Sequence, residues 1–200
     1  MKLIGITGGV GAGKSTVLGI LKEITNCIIV MADDVAKEMM QMNGALSADA
    51  IRIFGENAYL PDGKLNTTHI ASLMYSRPEL KEEWTGIVHP KVKQTVLDII
   101  EDARLKSEYD FFFFEAALLL EEGYDAICDE VWYIYVDEDE RIRRLVANRG
   151  YSESKCRSIM ANQLTHQQFL KKTHFIIDNG VDVNYTKKQL ENKLEEYTVI

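Results

Sequence analysis

Lys2-Leu3-Ile4-Gly5-Ile6-Thr7-Gly8-Gly9-Val10-Gly11-Ala12-Gly13-Lys14-Ser15-Thr16 is the stretch on which the rest of the chain is read. Its first six residues form a short apolar run of strand length. A glycine-rich turn follows at once, and then a helical pattern from about Lys14 to Ile24. The turn fits G-x-x-x-x-G-K-S/T at every required position, in the strand-to-helix context that the pattern needs. Glycines let successive backbone N–H groups turn inward with no side chain in front of them. On this reading Gly8, Gly11, Ala12 and Gly13 cradle a phosphate tail and Lys14 reaches its β- and γ-phosphates. Ser15 supplies an oxygen to Mg²⁺, and Thr16 adds a hydroxyl toward the α-phosphate. The helix N-terminus contributes partial positive charge. ATP with Mg²⁺ is therefore the expected occupant.

Outward from the loop, Cys27 to Met31, Phe111 to Phe114, Val131 to Val136 and Phe175 to Ile177 are further apolar runs of strand length. They are hydrophobic on both faces, as strands covered by helices on both sides must be. Between them the pattern is helical. Val88, Val92, Val96 and Ile99 recur at three- and four-residue spacing, and Val183, Leu190, Leu194 and Tyr197 form a final stripe. Alternating strands and helices predict an α/β chain, the P-loop NTPase fold, with a doubly wound five-stranded parallel sheet. The reading keeps residues 1–200 as one domain. A mainly helical insertion over 33–107 is assigned to the acceptor, and a helical lid to 138–164.

Composition excludes other classes. The net charge of −8 argues against a broad grip on nucleic acid. Local cations and backbone amides still suffice for a small anion. Cys27, Cys128 and Cys156 are too dispersed for a metal pair or a disulfide framework. No apolar run approaches the roughly 18 residues of a membrane span. A soluble, cytoplasmic protein is expected, as a monomer or a small homo-oligomer.

A guanine-specific switch would read its base through N-K-x-D after a late strand. Asn192-Lys193-Leu194-Glu195 lacks the aspartate and lies within the terminal helical stripe. A kinase must instead orient an acceptor hydroxyl and shield the phosphoryl group from water. Asp33 and Asp34 stand just past the second strand, at the sheet edge where ligands bind in such folds. Asp137 to Gly150 reads as a helix with acids first and arginines later. Dipole complementarity explains Arg141 and Arg143 as well as any phosphate role would. Arg144 and Arg149 are the better candidates for phosphate contact.

Taken in order, several segments resemble the dephospho-coenzyme A kinase family nearly end to end. They are Gly5 to Val17, Met31-Ala32-Asp33, Phe54-Gly55, His89-Pro90, Ala117-Leu118-Leu119-Leu120-Glu121, Arg149-Gly150-Tyr151-Ser152 with Gln163, and Ile177-Asp178-Asn179-Gly180. The resemblance implies transfer of the ATP γ-phosphoryl group to the ribose 3′-hydroxyl of dephospho-coenzyme A. Asp33 would orient or deprotonate that hydroxyl, and Lys14 and Arg149 would serve the transferring group. Arg144, Asn179 and Gly180 would flank ATP, and His89 and Leu118 would line the acceptor site.

Plainer readings stand beside these. Asp33 or Asp34 caps a helix, His89 is structural before a helix-initiating proline, and Asn179-Gly180 is a turn. Glu115 either stands near the metal or caps the sheet edge. Met31 stands where the family usually has an aspartate, Ala117 replaces its proline, and Phe169 sits near a position where it often has an arginine. The alternative functions are a kinase of another small acceptor, such as a nucleoside or nucleotide, and a non-kinase ATPase switch.

Overall fold

The structure, a computed structural model, describes residues 1–198, so Val199 and Ile200 lie outside it. Strands β1 (Lys2–Thr7), β2 (Cys27–Met31), β3 (Phe111–Glu115), β4 (Glu130–Tyr135) and β5 (Phe175–Asp178) form one parallel sheet in the order β2-β3-β1-β4-β5. β1 is central. It pairs in parallel with β3 from Lys2↔Phe111 to Ile6↔Glu115, and with β4 from Ile4↔Glu130 to Thr7↔Tyr133.

The apolar runs explain this placement. Ile4, Ile6, Phe112, Phe113, Phe114, Trp132 and Ile134 are all fully buried. Each contributes roughly 1.5–3 kcal/mol by leaving water. β4 starts one residue earlier than the apolar run suggests. Glu130 can enter the strand because Lys2, Trp132 and Tyr197 all bond its carboxylate.

The described chain divides into two units, Met1–Ile29 with the chain from Ser107 onward, and Val30–Lys106. The first unit holds β1, β3, β4 and β5 with α1 (Lys14–Ile24), α6 (Glu138–Arg149), α7 (Glu153–Ala161), α8 (His166–Leu170) and α9 (Val183–Thr198). Ser152 caps α7 by accepting from the Lys155 N–H, which fixes its start at Glu153. α8 escaped the periodicity because it has only five residues. Its sequence signal was the Thr165–Gln168 capping box.

The second unit holds α2 (Ala32–Met39), α3 (Ser47–Phe54), α4 (Thr67–Ser76) and α5 (Pro78–Lys106). Phe54 meets the edge of Trp84 at 5.3 Å between ring centroids. The Tyr59 hydroxyl donates to the Met40 carbonyl at 2.9 Å. Val92, Val96, Ile100 and Ala103 form the buried stripe of α5. The proline that starts this helix is Pro78. Pro90 lies inside it, which corrects the reading of Pro90 as a helix initiator.

Candidate active site

The loop after β1 is held from behind by side chains that use its carbonyls. Lys14 Nζ donates to the Gly8 carbonyl at 2.9 Å and lies 3.5 Å from Glu115 Oε1. The register Ile6↔Glu115 brings that carboxylate there, beside the end of β1. Both side chains are largely buried, at 18% and 6% exposure. Ser15 and Thr16, in the first turn of α1, are exposed. Asn179 Nδ2 donates to the Ala12 carbonyl at 2.8 Å, while its Oδ1 accepts from the buried Thr186 hydroxyl at 2.9 Å. Gly13 adopts φ 83°, and a Cβ there would strike the Asn179 amide nitrogen. The residue that closes the last strand thus buttresses the loop, with Gly180 exposed beside it.

α6 supplies the cations, but not evenly. Arg144 Nη2 donates to the Asn179 carbonyl at 2.9 Å, and its Nε donates to Glu140 at 2.8 Å. Arg141 lies against the loop itself, donating from Nε to the Val10 carbonyl at 2.8 Å and from Nη2 to Gln163 Oε1 at 3.1 Å. The same Gln163 oxygen accepts from the Val10 N–H at 3.0 Å. Burial pulls the Arg141 pKa down from its ordinary value, opposed by Tyr133 and Glu138. An arginine has margin enough to stay charged at neutral pH. Arg149, the last residue of α6, is exposed and makes no hydrogen bond or ion pair among the described residues. The sequence reading favoured Arg149 over Arg141. Arg141 stands one helical turn before the buried Leu145, a position that predicts an inward face.

Asp33 and His89 belong to the Val30–Lys106 unit. Met31, in extended conformation, precedes α2 with no side-chain cap, so neither Asp33 nor Asp34 is the N-cap. Both lie in the first turn, where a carboxylate complements the dipole. Asp34 pairs with Lys37 at 2.7 Å, whereas Asp33 is exposed and makes no hydrogen bond or ion pair among the described residues. His89 is exposed on α5. Leu118, in the turn after β3, is 45% exposed. Ala117 is exposed beside it. Phe169 is buried and stacks on Tyr133 at 4.5 Å between ring centroids, so it fills core.

The donor chemistry suits Mg²⁺, which takes oxygen ligands and leans on substrate phosphates rather than a protein cage. The exposed Ser15 hydroxyl and the Glu115 carboxylate are oxygen donors at this loop, and no cluster of three or more His, Cys, Asp or Glu ligands exists among the described residues. An open cavity of about 1380 Å³ lies instead at the other end of the strands, lined by Lys2, Asn26, Asp110 and Tyr197 among others. None of the loop residues reaches it. The glycine loop with its lysine, and not cavity size, locates the chemistry.

The dephospho-CoA kinase family model matches residues 2–184. The chain is 31% identical over 196 residues to the dephospho-CoA kinase of Geobacter sulfurreducens, spanning 98% of this chain and 96% of that one. Against the dephospho-CoA kinase of Corynebacterium efficiens it is 33% identical over 201 residues, spanning 98% and 97%. The solved dephospho-CoA kinase from Campylobacter jejuni shares the fold, with TM-score 0.74 at 21% identity over 98% of both chains.

Proposed function

The chain belongs to the dephospho-CoA kinase family, and from that membership and its loop geometry we propose that it transfers the ATP γ-phosphoryl group to dephospho-coenzyme A. The acceptor atom is the ribose 3′-oxygen. This is the last step of coenzyme A synthesis, carried out in the cytoplasm; no described helix is long and apolar enough to cross a membrane. The observation that carries the reading is the glycine-rich Gly8–Thr16 loop between β1 and α1, with Lys14 held by the Gly8 carbonyl at 2.9 Å.

Phosphoryl transfer needs positioning and charge neutralisation more than covalent chemistry. The loop amides and Lys14 take the triphosphate, and Lys14 exchanges its long approach to Glu115 for phosphate oxygens. Ser15 and Glu115 would hold Mg²⁺, which would supply neutralisation of phosphate charge. The acceptor oxygen attacks phosphorus in line, the bond to the β–γ bridging oxygen breaks, and ADP leaves. Asp33 orients the hydroxyl and receives its proton. Arg144 and Arg149 attend the nucleotide and the transferring group, Asn179 and Gly180 flank the nucleotide, and His89 and Leu118 contact the acceptor. On this reading 33–107 is the acceptor insertion and 138–164 the lid of a single kinase domain.

Purified protein supplied with Mg²⁺-ATP and a panel of acceptors tests the proposal by mass spectrometry of the products. Coenzyme A formed with stoichiometric ADP is the expected result. Phosphorylation of a nucleoside instead, or ADP release without any acceptor, would reject it.

A further inference from the structure

Val10 is held at both its carbonyl and its N–H by side chains from outside the loop. Its carbonyl accepts from Arg141 Nε at 2.8 Å, and its N–H donates to Gln163 Oε1 at 3.0 Å. Arg141 Nη2 closes the ring by donating to the same Gln163 oxygen at 3.1 Å. The Val10 side chain packs against the cluster of Ile142, Leu145 and Cys156, as do Tyr151 and Met160. Both peptide groups and the side chain of one loop residue are therefore committed to the segment that carries α6 and α7.

A second observation is steric. G-x-x-x-x-G-K-S/T leaves the second position free, yet it is a glycine here. Gly9 is not among the positive-φ glycines, so backbone conformation does not demand it. A Cβ on Gly9 would instead run into the Arg141 guanidinium. A side chain at position 9 would therefore displace the guanidinium from its place against the loop.

We infer that Arg141 and Gln163 are positioning residues that latch Val10, fixing the crest of the phosphate loop to α6 and to the end of α7. The inference rests on the kinase reading for its consequence, though not for the latch itself. With the latch broken, the loop samples other conformations, and ATP must order it on binding. A cost of that kind falls equally on bound ATP and on the transition state. It therefore raises the KM for ATP and leaves kcat almost unchanged. Arg141 would then be no transition-state cation, since loss of such a group lowers kcat.

Arg141→Gln and Gln163→Leu are the variants to make, with Gly9→Ala as a third that displaces the guanidinium without altering it. Each is expected to raise the ATP KM roughly tenfold with kcat held within about threefold. Arg141→Lys, which keeps the charge and a donor, should recover part of the loss. Combining Gly9→Ala with Arg141→Gln should add nothing further, because both break one contact. A merely structural role would lower the melting temperature without moving KM in the folded enzyme. Hydrogen exchange at the Val10 amide in the ligand-free protein gives a readout independent of activity. Exchange should be slow in the wild type and about ten times faster in Gln163→Leu. Fast exchange in the wild type, unchanged exchange in the variant, unchanged KM, or a fall in kcat at constant KM would each overturn the latch. A wild-type protein that makes no coenzyme A would instead refute the kinase reading and leave the exchange result to judge the latch.

Discussion

The two ends of the central strands each pair a carboxylate with a lysine, and they do so in opposite ways. Where the strands begin, Glu130 accepts from Lys2 at 2.8 Å, Tyr197 at 2.6 Å and Trp132 at 3.0 Å, with Lys193 at 3.9 Å. Lys2 also lies 4.1 Å from the Tyr197 ring centroid. Where they finish, Lys14 has three donors and, among the described residues, only the Gly8 carbonyl and a 3.5 Å approach to Glu115 to use them on. A saturated cluster holds a fold together, and nothing is left with which to bind. A lysine with donors to spare, at the mouth of a glycine loop, can exchange partners at little cost. On the proposed function, the same residue pair is structural at one end and functional at the other because of what surrounds it.

Lys14→Ala is the largest predicted break in that contrast. Removing the cation that meets the triphosphate should lower coenzyme A formation by at least about 10²–10³-fold. Thermal stability should stay near wild type, as checked by calorimetry. Asp33→Asn comes next. A loss of roughly 10²-fold or more in kcat, with ATP affinity intact, is expected if Asp33 handles the acceptor proton. Near-normal turnover would reduce it to a dipole partner.

Glu130→Gln should do the reverse and leave turnover alone. Burial favours the protonated acid, but bonds from Lys2, Tyr197 and Trp132 prevail and hold Glu130 at about 2. Its folded value is depressed below the ordinary value of about 4.3, so its stabilisation is complete above that pH and is lost as pH falls toward 2. The variant should be about 1–3 kcal/mol less stable near pH 7 in denaturant titrations. That gap should close in acid. A constant gap would mean that packing, and not ionisation, is at stake. Thr165→Ala marks the small end. Losing the cap of α8 should cost about 1 kcal/mol in the same titration, without changing KM or kcat.

What the sequence revealed followed the same division. β1, α1 and β2 fall where the apolar runs and the glycine turn put them, because local pattern suffices for a strand buried on both faces. The phosphate loop was legible because its chemistry dictates its residues. Arg141 was not, since acids before arginines along a helix have a sufficient explanation in the dipole. Only the fold reveals that residue 141 meets Val10, 131 positions away. Asn179 read as a turn or as a neighbour of the base, and nothing local could disclose that its amide bonds Ala12 across 167 residues. The capping reading of Asp33 failed because Met31 took the boundary position in extended form.

Calorimetric titration of Mg²⁺-ATP into the folded, ligand-free protein tests the central claim most directly. One site per chain in the wild type, with at least roughly tenfold weaker binding in Lys14→Ala, is the predicted result. A well-folded wild type that takes up no nucleotide, or a Lys14→Ala variant that binds it equally well, would contradict the account.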